Sequence, residues 1–159
     1  MTITKITETL IANIARMDKE LLSLGQANED NQKRGELVSK KMKIAKSENS
    51  AELDSLNIEM KKIIVLRECH LKFITNYLNL NISAKESFLD LEMAMTSNKG
   101  FKKMGLSKKI RKCEEANMVL ENSFVMLKKM FKNDYKEVNE IPGLEEEAMR
   151  WMSVRLASS

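Results

Sequence analysis

His70 is the only histidine in this 159-residue chain, and it directly follows Cys69. Imidazole and thiolate are the groups that a metal site or a nucleophilic centre draws on first. Adjacent residues on a helix point about 100° apart, so this pair does not converge on one ion. The chain has no Cys-x-x-Cys or His-x-x-x-His spacing, and a single histidine without a second ligand or an orienting partner is too little for either chemistry. The other thiol, Cys113, sits on an apolar stripe. Both cysteines read as reduced, small core residues, which suits a cytoplasmic protein. Paired carboxylates occur at Glu114–Glu115 and at Glu145, Glu146 and Glu147, in ordinary solvated helix positions. Gly100 and Gly105 flank a lysine-rich connector, but no strand precedes them, as a phosphate loop requires. The residue chemistry therefore predicts no catalytic residues, no metal and no cofactor: this is not an enzyme.

The residues that point to binding are cations. Lys99, Lys102, Lys103, Lys108, Lys109, Arg111 and Lys112 crowd one stretch with no acid among them. A second basic stretch holds Lys33, Arg34, Lys40, Lys41, Lys43 and Lys46, with Glu36 as its one acid. Acids gather near the end, at Glu137, Glu140 and Glu145 to Glu147. The net charge of +4 is modest for a dedicated nucleic-acid binder. Opposite charges segregated along a chain let it pair with itself or with another copy. The connector from Gly100 to Ser107 lies between two expected helices, loosely like a helix-turn-helix. The helix after it opens with lysines instead of base-reading side chains, so any contact with nucleic acid would be to phosphates. Trp151, the only tryptophan, is either an anchor for the last helix or a hot spot for a partner. The candidate partner-binding residues are thus Lys102, Lys103, Lys108, Lys109, Arg111, Lys112 and Trp151.

The elements that must position these residues are helices. Five glycines and one proline are too few for a sandwich or barrel. Apolar residues recur at steps of three and four in Ile110, Cys113, Leu120, Phe124, Leu127 and Phe131, interrupted at Asn117. A polar residue in such a seam either fixes helix register or marks where the seam turns to solvent. The same rhythm runs through Ile3, Leu10, Ile14, Met17, Leu21 and Leu24, and again through Leu53, Leu56, Met60, Ile63, Ile74 and Tyr77. Twelve methionines fill apolar positions where aromatics are sparse, consistent with adaptable helix packing.

Along the chain, Thr2 or Thr4 caps a first helix. The polar stretch Gly25 to Gly35 reads either as a loop or as the solvated continuation of one long helix with a weakened or kinked centre, the second being favoured by its tolerable helix formers; an apolar face returns at Leu37, Val38, Met42 and Ala45. Lys46 to Ser50 reads as a turn, and Ser50 caps a second helix from about Ala51 to Leu80. That helix widens its apolar face after Met60, through Ile63, Ile64, Leu66, Leu71, Phe73, Ile74, Tyr77, Leu78 and Leu80. This half should be packed on both sides. Asn79 to Ile82 reads as a break, and Ser83 with Glu86 as a capping box that starts a third helix, ending at Ser97 to Gly100. Ser107 caps the next helix, running to about Asn139. Pro142-Gly143 turns into a last helix from Leu144 to Leu156.

These readings predict an all-α protein: a long antiparallel, coiled-coil-like helical hairpin over 1–82, plus a smaller C-terminal helical bundle over 83–159 packed on the hairpin base. The outline resembles bacterial export chaperones of the flagellar and type III secretion type. It equally resembles phage or mobile-element accessory proteins and the small helical subunits of CRISPR effector complexes. The resemblance is one of shape and composition, resting on no shared residues. The expected function is non-enzymatic protein–protein interaction, as adaptor, chaperone, inhibitor or assembly factor, with self-association into a homo-oligomer. The alternative is an accessory protein binding nucleic-acid phosphates through the basic patch at 99–112. No apolar run approaches the roughly 20 residues of a membrane span, and the first residues lack the apolar core of a signal peptide.

Overall fold

A computed structural model describes residues 2–97, 105–134, 140–144 and 146–147. Among the described residues the chain is all helical and contains no strand. Three helices dominate: α1 (Ile3–Ser47), α2 (Leu53–Thr96) and α3 (Leu106–Asp134).

Thr2 starts α1, its hydroxyl accepting the Lys5 N–H at 3.2 Å. The helix runs unbroken through Gly25 to Gly35, as the tolerable helix formers of that stretch predict. It ends in a Schellman motif. Asn49 takes the left-handed conformation (φ 52°), Ser50 N–H bonds back to the Ala45 carbonyl at 2.9 Å, and Asn49 N–H to that of Lys46 at 3.3 Å. The Ser50 hydroxyl then accepts the Glu52 N–H at 3.2 Å, helping to open α2.

Two expected boundaries are corrected. Helix α2 passes through Asn79–Ile82 without a break, so Ser83 and Glu86 are not a capping box. They are exposed residues one turn apart in mid-helix. The break is overridden because Asn81, which would favour a turn if solvated, is buried and donates from Nδ2 to Asp18 Oδ1 at 2.7 Å. The following Ala84, Lys85 and Glu86 are strong helix formers. Helix α3 begins one residue ahead of Ser107; the Gly105 carbonyl accepts the Lys109 N–H at 3.0 Å, so Gly105 holds the cap position.

The buried residues follow a repeat of seven. In α1 they are Leu10, Met17, Leu24, Val38 and Ala45, with a second row of Ile6, Asn13 and Glu20. In α2 they are Ile63, His70, Tyr77, Ala84 and Leu91, with Leu66, Phe73 and Ala94 beside them. In α3, Cys113 and Leu120 alternate with Asn117 and Phe124. Both cysteines are free and buried. The expected rows are corrected in part: Ile3, Ile14 and Leu21 are only half-buried, and the second row of α1 is Ile6, Asn13 and Glu20. The expectation that α2 is packed on both sides after Met60 also fails. Ile64, Leu71 and Leu78 are each close to half exposed, because the repeat of seven carries them to the outer face.

The chain forms two compact units, to both of which α1 and α2 contribute: Met1–Leu21 with Thr75–Met126, and Leu22–Ile74 with Leu127–Ser159. In the first, a polar layer sits inside the core. Asn13 Nδ2 donates to Asn117 Oδ1 at 3.0 Å and to Glu121 Oε1 at 3.3 Å. Asn117 Nδ2 donates to the Ile6 carbonyl at 3.2 Å. Asn117 therefore joins α3 to α1 and does not mark a seam turning to solvent. Beside it, the Arg16 guanidinium lies 4.0 Å over the Phe124 ring, a cation–π contact. Tyr77 meets the same ring edge-on and donates its hydroxyl to the Ser123 carbonyl at 3.2 Å. In the second unit, Arg34 binds Glu59 of α2 and Glu147, and Gly35 lies beside the Ile63 side chain.

Candidate interaction surface

With the inner rows assigned, the outer positions of each helix can be read. On α2 within the first unit they carry Leu78, Ile82, Leu89 and Met93, which are 45%, 53%, 56% and 64% exposed. The steps of four, seven and four keep these side chains on one face. Lys85 and Glu86 stand between the two apolar pairs. Lys85 Nζ also reaches Asp18 Oδ1 at 3.1 Å, an exposed ion pair of small worth. Helix α3 presents Met118, Val119, Val125 and Met126, again at helical spacing. Isolated exposed apolar residues are ordinary, and rows of them on helices whose inner seams are complete are the candidate docking surfaces of this chain.

The first unit also contains a groove of about 430 Å³ between α2 and α3. Its floor is small, with Ser83, Ala84, Ser87 and Ala116. Glu86, Asp90, Glu115 and Lys112 are among the charged residues lining it. Below it the Cys113 thiol donates to the Ser87 carbonyl at 3.3 Å. Burial pushes that thiol's pKa up, and the Asp90 charge adds to the rise, so the sulfur is held as an unreactive thiol. A second groove, about 590 Å³, lies in the other unit against Ile58, Ile64 and Val65 on α2 and Ile141 and Pro142. In the same unit, burial lowers the Arg34 pKa, but hydrogen bonds and charge from Glu147 and Glu59 more than offset this and leave it raised.

The sequence-predicted cations are only partly brought together. Lys108, Arg111 and Lys112 are exposed on the first two turns of α3, while Lys109 is half-buried. Lys112 stands at the groove with Glu86, Asp90 and Glu115, so part of its field is spent on neighbouring acids. Lys102, Lys103 and Trp151 lie outside the described residues, as does most of the expected last helix. His70 is buried in the inner row of α2. Among the described residues no cluster of His, Cys, Asp and Glu could hold a metal ion, and no helix is long and apolar enough to cross a membrane.

The outer face of α2 is the candidate surface that sequence reasoning missed. The signal was available. Once Ile63, His70, Tyr77, Ala84 and Leu91 are seen to repeat at seven, Leu78, Ile82, Leu89 and Met93 cannot share their face. The polar His70 and the small Ala84 hid that row. Neither the sequence nor the fold matches a known protein family, a curated protein or a solved structure.

Proposed function

We propose that this protein is a non-enzymatic protein–protein interaction factor (adaptor, chaperone, inhibitor or assembly factor). In this reading its helices form a long antiparallel, coiled-coil-like hairpin plus a smaller C-terminal bundle, and the outward helix faces dock partners. The observation that carries it is the apolar row Leu78, Ile82, Leu89 and Met93 on the outside of a helix whose inner row is already buried. Removing such residues from water contributes about 25 cal/mol per Å², enough to drive helix-in-groove docking.

The test is photo-crosslinking in the native host with a reactive side chain placed at Asn79, exposed on the same helix. The adducts are compared with and without Leu89→Glu and Met93→Glu. Adducts to a defined protein that vanish with the paired variant support the reading. An unchanged adduct pattern refutes it.

A second reading has one observation in its favour. The first turn of α3 contains no acid, and its early residues include the exposed Lys108, Arg111 and Lys112. Cations near a helix N-terminus oppose the helix dipole, and an anion such as phosphate would relieve that. Nucleic-acid binding through this patch weakens steeply with salt, whereas helix docking changes little. Reversing Lys108, Arg111 and Lys112 to Glu abolishes the former and spares the latter.

A further inference from the structure

We infer that residues 25–37 of α1 form a built-in opening: they unwind and re-form locally while the helix up to Leu24 stays packed, and Arg34 is the latch that holds them shut. The inference stands apart from the docking reading above. From Ile6 to Leu24, α1 buries a residue at every step of three or four: Ile6, Leu10, Asn13, Met17, Glu20 and Leu24. Burial resumes only at Val38 and Ala45. None of the thirteen residues between Leu24 and Val38 is buried, and their one leucine, Leu37, is 55% exposed. Helix α2 in the same unit shows no such gap, burying Ile63, Val65, Leu66, Cys69, His70 and Phe73.

A helical stretch without buried side chains stands on its own propensity, and isolated helices shorter than about 12–15 residues are marginal in water. Two glycines lie inside this stretch, Gly25 and Gly35, each weakening it about three- to fivefold relative to alanine. Asn28, Asp30 and Asn31 are further weak helix formers. The Gln26 side-chain amide donates to Asp30 Oδ1 one turn on, at 2.9 Å, a tie within the stretch itself. Among the described residues, the side-chain bonds that join the stretch to other elements are those of Arg34. Its Nε donates to Glu59 Oε1 of α2 at 2.7 Å, and Nη1 pairs with Glu147. Charge-assisted contacts of a guanidinium are strong for their kind, and this one ties three segments together through one side chain. Openings of this sort leave the rest of the fold intact and lie at the low end of a protein's local stabilities.

Residue-resolved amide hydrogen exchange of the full chain, followed by NMR from zero to about 1 M urea and corrected for intrinsic rates, tests this. Amides from Ala27 to Glu36 are expected to exchange about 100-fold faster than those from Leu10 to Leu24. Their rates should barely depend on urea, the mark of an opening that exposes little surface. Arg34→Met is expected to speed exchange in this stretch about fivefold or more and to leave Leu10 to Leu24 unchanged. Lys33→Met alters an exposed neighbour and should change the rates less than about twofold. Gly25→Ala, whose added methyl meets nothing within 4 Å, should slow exchange about three- to fivefold. It reads the opening even if Arg34→Met disturbs the fold. Protection from Ala27 to Glu36 within about threefold of that from Leu10 to Leu24 overturns the opening. Fast exchange that Arg34→Met leaves unchanged overturns the latch. The docking reading is decided separately, by the crosslinking experiment.

Discussion

Replacing Asn117 and Asn13 with alanine, singly and together, tests the buried polar layer. Asn117→Ala removes two hydrogen bonds, one from Asn13 and one to the Ile6 carbonyl. At about 1 kcal/mol each they contribute about 2 kcal/mol, and the small cavity adds about 1 kcal/mol. Alanine's better helix propensity returns about 0.6 kcal/mol, leaving a net loss of about 2.5 kcal/mol. Asn13→Ala loses the same bond to Asn117 and a weaker one to the exposed Glu121, for a net loss of about 2 kcal/mol. The Asn13–Asn117 bond is counted in both singles, so the double variant falls short of their sum by about 1 kcal/mol. Urea unfolding followed by helical circular dichroism measures all three, with a constant m-value as the control for two-state behaviour. Losses that add to within about 0.3 kcal/mol would show that the two amides do not share a bond, leaving the Asn117 bond to the Ile6 carbonyl as its one polar link to α1.

Other consequences are simpler to check. Ser83→Ala is expected to stabilise the protein by about 0.5 kcal/mol, because Ser83 is an exposed mid-helix residue; a loss of about 1 kcal/mol would restore the capping box. Tyr77 has its pKa raised, chiefly by burial and further by the charge of Glu20, with Arg16 opposing. Its folded form therefore holds the proton more tightly than the unfolded form, and the stability this provides is complete below the unfolded value near 10 and lost as pH rises through the folded value. Absorbance of tyrosinate should show Tyr77 ionising only with unfolding, and Tyr77→Phe should remove its share of the alkaline loss. Cys113 is buried with a raised pKa, so iodoacetamide should label it in native protein no faster than the structure opens. Labelling at the rate of a free thiol would contradict its packing.

The helices were legible because their signals were repeated many times. Leu10, Met17 and Leu24 announce the α1 seam, whereas the stretch from Gly25 to Gly35, with a glycine at each end and no apolar row, left helix and loop both open. The turn was legible in outline, but the left-handed Asn49 was not, since Asn is one of several residues that accept that conformation. Ser83 misled for a physical reason. Ser followed three residues later by Glu is a cap when the serine is outside the helix and an ordinary surface pair when it is inside. What decides is Asn81, whose bond to Asp18 joins residues 63 positions apart and cannot be read locally. The same limit hid the second row of α1. Asn13 and Glu20 look like solvent-facing residues, and only their neighbours on other helices make them interior.

Polar residues inside and apolar residues outside are two sides of one arrangement. The interior holds Asn13, Glu20, His70, Asn81 and Asn117, at positions where a helical seam more often carries apolar residues. Polar seam residues are retained where they fix register at a cost in stability. The outer face holds Leu78, Ile82, Leu89 and Met93, where charged residues would keep a monomer more soluble. The outer face can be tested alone: Leu89→Gln with Met93→Gln changes side chains that the chain leaves more than half exposed. Without a docked partner, the pair is expected to alter stability by no more than about 0.5 kcal/mol, as surface substitutions do. With a docked partner present it should lower the apparent melting temperature relative to wild type, because the wild type alone gains from binding. A loss of about 2 kcal/mol or more without a partner would mean that this face is already packed within one chain, and the argument for a partner on α2 would end there.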